Sequence, residues 1–583
     1  MNRPIDTMNE SEKSALWRLA WLGFAMMFLF GALSLISQPF EYSETTRKPI
    51  LEVVGLLISA TVLSIFSVRA GIRIDQNGGA LLLLIVSMAI GFRVVMGFTP
   101  PILEIDFYRY MWDGKVSVAG VSPYRYSPQQ IIDAGGPGPK AKGVSPDLEK
   151  LVDLSLASAA NHEILTRVHF AQHTTIYPPV SQVVFYLVGQ VTPAEASTSS
   201  QTLVMRAMLV AFDLGTIFVL LLILRAVGRH PAWLIAYAWN PLVVKEISNS
   251  IHLDSIAIFF MMLAILFVIQ ARTQSGGRKP ATFGGLSLGL AVGAKLFPVV
   301  IAPAIAVALL KYGKPKVVLF SVAFLATTSV VLYPMLSKYE GSPPTDLEVV
   351  ETLSPEDRSL RLLEQASDMA TQEPNSVAEN STNKDGLTSF LSSWRMNDVI
   401  FSTVYHNLKP IDDPQNEYWY VVVPNEVRQQ IENSAIADVT ENPAFLLTRI
   451  ATLAAFAIIY LCFLPRFHGG NDLDVLAGLL FLLFSFLMLQ PTVNPWYWVW
   501  AIPLTCFSSR WGWIGVSAIL TIYYTRFFFD TSELAFTVNQ HTYLGVDIFD
   551  HFVVWGEAIL ITLFIMFTGR LDFENPIRQH SST

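Results

Sequence analysis

Apolar runs recur along most of the chain, at 17–36, 50–68, 79–97, 203–225, 231–246, 254–271, 281–294, 297–310, 316–335, 445–464, 473–490, 495–509, 511–527 and 552–569. An α-helix needs about 20 apolar residues to cross the hydrocarbon core of a bilayer, and fewer where it is broken or its flanks adjust. Such a chain is expected to be an all-α polytopic membrane protein. The charge content agrees. Only 15% of the 583 residues are charged, where a soluble chain carries roughly 25%. A deficit of that size cannot be hidden in one core, so lipid must solvate much of the exterior. The abundant Phe, Tyr and Trp suit aromatic belts at the two membrane surfaces. A net charge of −8 with no basic arm argues against nucleic acid as a partner. The two cysteines, Cys462 and Cys506, exclude a disulfide framework and a cysteine metal site. The N-terminus has a long polar lead and no small-residue cleavage site, so it reads as a retained first span.

Lysine and arginine set the orientation. Arg69 and Arg73 share one loop, Arg225 and Arg229 another, and Arg272, Arg278 and Lys279 a third; Lys311, Lys314, Lys316, Arg466, Arg510 and Arg570 follow. All fall on the cytoplasmic side if both termini are inside and 176–193 does not span. That run is therefore expected to be an interfacial or re-entrant helix beginning at Pro178-Pro179, with Gln182 and Gln190 wetted. Two long polar segments, roughly 98–202 and 336–444, then face outward. The stretch 337–386, rich in Ser, Glu, Asp and Pro, reads as a mobile loop.

The strongest local signal is Glu104-Ile-Asp106-Phe-Tyr-Arg109-Tyr110-Met-Trp-Asp113-Gly114, continuing to Gly120-Val-Ser-Pro-Tyr124. On a helix Asp106, Arg109, Tyr110 and Asp113 share a face. Sugar transfer from a lipid phosphate needs a carboxylate to accept the proton of the attacking hydroxyl and a cation to bind the departing phosphate. An interfacial salt bridge within an aromatic belt explains the same residues without chemistry.

Further along stand Tyr177-Pro-Pro, then Trp239-Asn-Pro with Lys245, Glu246, Asn249, His252 and Asp254, and later Asn494-Pro-Trp496-Tyr. Together these resemble the GT-C class of polyprenyl-phosphate-sugar-dependent glycosyltransferases, closest to the bacterial mannosyltransferase-like membrane proteins of glycosyltransferase family 87. The likeness covers roughly 79–334 and 473–510. It implies a GT-C-like transmembrane helix bundle with large extracytoplasmic loops carrying interfacial helices. It also implies a location in the bacterial plasma membrane and an inverting hexosyltransfer, of mannose, from a polyprenyl phosphate to a lipid or glycan acceptor. The acid opening the first large outer loop, here Asp106, is the general base by this resemblance. The motif follows the third span, whereas many GT-C enzymes place it after the first. The expected organisation is therefore N-terminal spans at 1–78, a catalytic module at 79–335 with its outer loop 98–202, an outer loop at 336–444 that is partly disordered, and C-terminal spans at 445–583.

The remaining candidates each have a plainer explanation. Lys245, Asn249 and His252 fall on one helical face, with Glu246 and Asp254 near, and suit a phosphate and sugar-hydroxyl site or a snorkelling helix end. Lys295 suits the lipid phosphate, although a turn between two short helices explains it more simply. Asn494 and Trp496 suit sugar stacking or the interfacial belt. Arg395 would close over the donor or stand as a solvated surface cation. Glu104 and Asp113 offer hard oxygen ligands for a divalent cation, and the sequence leaves metal use open. A transporter or flippase for a lipid-linked or anionic solute is the alternative reading, with Lys245, Glu246, His252 and Lys295 as its path. The transferase reading requires Asp106 and Lys245 on one extracytoplasmic rim.

Overall fold

The chain starts its first span with a reciprocal cap. Asn9 Oδ1 accepts from the Glu12 N–H at 2.9 Å and Glu12 Oε2 accepts from the Asn9 N–H at 2.9 Å, which satisfies two of the N–H groups that a helix start leaves orphaned. From there a computed structural model describes residues 8–41, 48–75, 79–135, 145–273, 277–337, 394–411, 417–437, 440, 442–538 and 541–568. The segment 337–386, expected to be mobile, lies outside the described residues apart from Ser337.

Among the described residues eight helices are long and apolar enough to cross a membrane: Glu10–Ile36 (α1), Ile50–Gly71 (α2), Gly79–Gly97 (α3), Thr198–Ala226, Asp254–Ala271, Lys314–Leu336, Pro443–Gly469 and Val546–Phe567. The protein is thus an all-α polytopic membrane protein. Helices that are apolar on every side need a non-aqueous surround. In α1, Leu19, Met26, Phe30 and Leu33 are fully buried while Trp17, Trp21, Phe28 and Leu35 lie exposed on the other side.

Four expected spans are not continuous helices, and proline or a competing cap accounts for most of the breaks. The run 231–246 becomes a 3₁₀ turn (Pro231–Leu234), two short α-helices (Ile235–Ala238 and Pro241–Val243) and a π-helix (Val244–Asn249). Asn240 Oδ1 accepts from the N–H groups of Leu242 and Val243, restarting the helix beside Pro241. The run 297–310 divides into a 3₁₀ turn, Phe297–Ile301, and a helix, Ala302–Leu310, with Pro298 and Pro303 inside it. In 495–509 only Pro495–Trp498 and Ile502–Thr505 are α-helical, and each begins at or next to a proline. The run 511–527 has no proline, yet it passes from α-helix (Gly512–Leu520) to a 3₁₀ turn (Thr521–Thr525).

The described chain forms two compact units. One contains 1–104, 206–328 and 395–583; the other contains 105–205 and 329–394. In the first, Phe30 of α1, Phe92 of α3 and Trp239 pack in sequence, with ring centroids 5.0 and 5.6 Å apart. Trp239 Nε1–H donates to the Ile85 carbonyl at 2.9 Å. A short antiparallel hairpin, β1 (Ala535–Val538) with β2 (His541–Leu544), pairs Ala535 with Leu544.

The second unit holds Phe107–Val118 (α4), Pro128–Ala134 (α5), Pro146–Leu156 (α6), Ala159–Thr166 (α7) and Pro179–Val191 (α8). Ser127, Ser145 and Ser158 cap α5, α6 and α7. With 13 residues, α8 is about 20 Å long, short of a bilayer core of about 30 Å. It starts at Pro179, where the missing N–H costs nothing. Helices α4 and α8 cross closely enough that a Cβ on Gly114 would stand 2.4 Å from the Phe185 carbonyl oxygen. The Asp113-Gly114 pair therefore serves helix contact as well as polarity.

Candidate active site

In the first unit the broken 231–253 stretch gathers charge. The π-helix ends at Asn249, and Ile251 follows with φ +63°, a left-handed conformation that is costly for a β-branched residue. The irregular backbone turns His252 inward. Its Nε2 lies 3.0 Å from Glu104 Oε2 and 3.2 Å from Glu246 Oε2, with all three side chains buried. Lys245 Nζ is 3.3 Å from both carboxylate oxygens of Glu246 and 4.3 Å from the centre of the Tyr524 ring. The Tyr524 hydroxyl donates to Glu246 Oε1. Burial alone would lower the His252 pKa, but Glu104 and Glu246 outweigh it and raise it to about 10.

A second pair lies at the start of the Asp254–Ala271 helix. Lys295 Nζ contacts Asp254 Oδ1 at 2.7 Å, and the Trp500 indole N–H donates to the same oxygen. Asp254 Oδ2 is buried with no hydrogen-bond partner. Lys295 also packs over the rings of Tyr497 and Trp500, at 5.1 and 5.4 Å, and its side chain keeps 20% exposure against 1% for Lys245. Trp496 stacks on His252 at 5.2 Å with an 18° interplanar angle, and buried Asn494 has an unpartnered Oδ1.

The Asn249 side chain forms no hydrogen bond with Lys245 or His252 among the described residues. Its side chain instead holds 99–102. Oδ1 accepts from the Ile102 N–H at 2.8 Å, and Nδ2 donates to Thr99 Oγ1 at 2.6 Å and the Pro100 carbonyl at 2.9 Å. Arg206 adds bonds to the carbonyls of Thr99 (3.1 Å), Asn249 (3.0 Å) and Gly97. These contacts fix the segment that delivers Glu104.

Arg395 is not a solvated cation. Its guanidinium lies 4.1 Å from the Tyr405 ring centre and 3.3 Å from His406 Nε2. The neighbouring Met396 N–H donates to the Pro491 carbonyl at 2.7 Å and the Val493 N–H returns a bond to the Met396 carbonyl at 2.9 Å. This tie ends one residue before Asn494. Asp398 is buried, which raises its pKa to about 7 against the pull of Arg395.

In the second unit Asp106 sits at the N-cap position of α4, half-buried, and the Tyr177 hydroxyl donates to its Oδ2 at 3.2 Å. Tyr110 is buried, stacked on Phe185 at 4.9 Å and edge-on to Tyr177 at 5.0 Å. Arg109 Nη2 donates to the carbonyls of Phe170 (3.0 Å) and His173 (3.1 Å). Asp113 accepts from Gln182 Nε2 at 3.0 Å. Burial raises the Asp113 pKa and lowers that of Arg109, each opposed by the charge of the other. Arg109 thus braces the turn before Tyr177-Pro-Pro and Asp113 the helix after it; of Asp106, Arg109, Tyr110 and Asp113, only Asp106 is not buried. Among the described residues no group of three His, Cys, Asp or Glu side chains is arranged to hold a metal ion.

Sequence reasoning missed Tyr524, Trp500 and Arg206, which carry no motif of their own. It also missed Arg93 and Asp213, each a charge within an apolar run, which is itself a signal. Arg93 Nε meets Asp213 Oδ2 at 2.5 Å, Arg93 Nη1 donates to the Ala238 carbonyl at 2.8 Å, and the Tyr237 hydroxyl donates to Asp213 Oδ1 at 2.6 Å.

Helices broken around a buried acid-base network define a polytopic membrane protein with an intramolecular polar site. Residues 433–554 match one family model, the MptB C-terminal domain. The match spans about a fifth of the chain and includes Asn494, Trp496, Trp500 and Tyr524. No curated protein matches the chain, and no solved structure does.

Proposed function

We propose that this chain is an inverting membrane hexosyltransferase, moving a sugar, mannose, from a polyprenyl phosphate to a lipid or glycan acceptor on the extracytoplasmic side. The observation that carries the reading is Asp106: a half-buried carboxylate oriented by Tyr177 and two residues beyond Glu104, the acid that pairs with His252. The MptB C-terminal match supports the class and the sugar, since MptB is a mannosyltransferase of GT-C type.

In this reading Asp106 takes the proton of the acceptor hydroxyl as its oxygen bonds to the anomeric carbon. The bond from that carbon to the phosphate oxygen breaks, and its electron pair leaves with the phosphate. Lys295 is the cation a phosphate can reach, because it alone of the two lysines keeps exposure, and an incoming phosphate would exchange for Asp254. The Glu104–His252–Glu246–Lys245 network holds the irregular backbone in place so that charge need not reorganise during transfer. Asn494 and Trp496 would orient the sugar ring, and Arg395 would fix the segment leading to them.

The test is Asp106→Asn in the full-length protein, assayed with labelled polyprenyl-phosphate mannose. Membrane yield should persist while donor consumption stops; retained transfer removes Asp106 from this role. A cysteine at 106 in a Cys462→Ser background should react with an impermeant maleimide from outside intact cells. Labelling only after permeabilisation would overturn the sidedness.

A further inference from the structure

An apolar groove in the first unit lies away from the charged network, between α2 and the Gly512–Leu520 helix with the turn after it. It encloses about 510 Å³. Ile58, Ile65 and Arg69 line one wall, and Trp511, Ala518 and Ile522 the other. Each wall covers eleven residue steps, or about 16 Å of helix rise, which is half of a hydrocarbon core of about 30 Å. The groove therefore has the length of one leaflet's acyl chain.

Its polar end is also marked. His230 Nε2 lies 2.8 Å from the Ile74 carbonyl, just beyond α2, and the Arg229 guanidinium donates to the Ser508 carbonyl at 2.6 Å. These bonds bring the Arg69 end of α2 and the Trp511 end of the opposite wall to one edge. Arg69 is exposed and, among the described residues, forms no hydrogen bond or ion pair. Arg510, beside Trp511, is exposed and spends one N–H on the Ile565 carbonyl at 3.0 Å. An apolar trough of one-leaflet length, with an interfacial Trp and two exposed guanidinium groups at the same end, has the polarity of an anionic phospholipid.

We propose that this groove is a binding site for one anionic bilayer phospholipid, an acyl chain lying along α2 and the phosphate held by Arg69 with Arg510 beside it. The site is independent of the transfer reading, since none of its residues belongs to the candidate active site. It sits in the leaflet on the side where the helix-end arginines collect.

The test uses the full-length protein, delipidated in detergent and supplied with phosphatidylglycerol or phosphatidylcholine of matched chains, read by native mass spectrometry and thermal unfolding. The unmodified protein should bind phosphatidylglycerol about fivefold more tightly than phosphatidylcholine, as one arginine beside a headgroup of net negative charge provides. Arg69→Gln should lose the preference while keeping binding; Ala518→Phe, which fills the trough, should lose binding of both. Equal binding of the two lipids by the unmodified protein would overturn the assignment. So would an unchanged preference in Arg69→Gln, or a polyprenyl phosphate as the lipid that co-purifies. Should Ala518→Phe fail to fold, the Arg69→Gln comparison decides alone.

Discussion

The first unit buries two ionic networks of similar size, and they are finished differently. In Arg93–Asp213–Tyr237 each carboxylate oxygen has its own donor and Arg93 also bonds two backbone carbonyls, which leaves Arg93 Nη2, a donor, without a partner. It joins α3, the Thr198–Ala226 helix and the short Ile235–Ala238 helix. The network around His252 sits instead on a π turn and a left-handed isoleucine, with Asp254 Oδ2, Asn494 Oδ1 and the hydroxyls of Ser248, Ser250 and Ser255 all without hydrogen-bond partners. A network whose acceptors are all filled pins helices; one that keeps strained backbone and spare acceptors has capacity left for another molecule.

The largest expected effect tests the pinned network. Asp213→Ala leaves Arg93 buried without its counter-charge and should cost about 3–5 kcal/mol of stability, seen as a large drop in the unfolding temperature of detergent-solubilised protein. Arg93→Met with Asp213→Leu should recover most of that loss, because removing both charges also removes their desolvation penalty. If the double variant is as unstable as the single one, the pair is not merely a helix clamp and the contrast fails.

His252→Gln comes next. Sugar transfer should fall at least about 100-fold, within the range of general acid–base and electrostatic contributions, with a loss of unfolding temperature smaller than that of Asp213→Ala. A stability loss as large as that of Asp213→Ala would make the two networks alike.

The smallest effect is in pH. The His252 pKa is raised in the fold, from an ordinary 6.5 to about 10. Its contribution to stability is complete below about pH 6.5 and is lost as pH rises through about 10. Unfolding temperatures should therefore carry an alkaline limb near that pH which His252→Gln removes. A limb that survives the substitution assigns it to another group.

Much of the architecture was legible because lipid permits only a narrow range of solutions. Runs such as 254–271 and 79–97 became helices with the expected bounds, and 176–193 became a helix too short to span. The breaks were harder to read. Asn240-Pro241 looks the same in sequence whether it kinks a span or ends it; the outcome depends on Asn240 capping two N–H groups and bonding Ser517. The candidate residues emerged where a charge interrupted apolar sequence, as at Lys245 and Lys295. Their partners did not, since Tyr524 and Trp500 look like ordinary belt aromatics until the chain returns more than two hundred residues later.

The π turn at Val244–Asn249 also limits how this chain can vary in length. A π turn holds one residue more than the α turn it replaces. Deleting one residue of that stretch would let it close into an α turn with the chain after it kept in register, whereas adding one would turn everything after it by up to about 100°. An insertion would carry His252 away from Glu104 and swing Asp254 off Lys295. The stretch can lose a codon more safely than it can gain one.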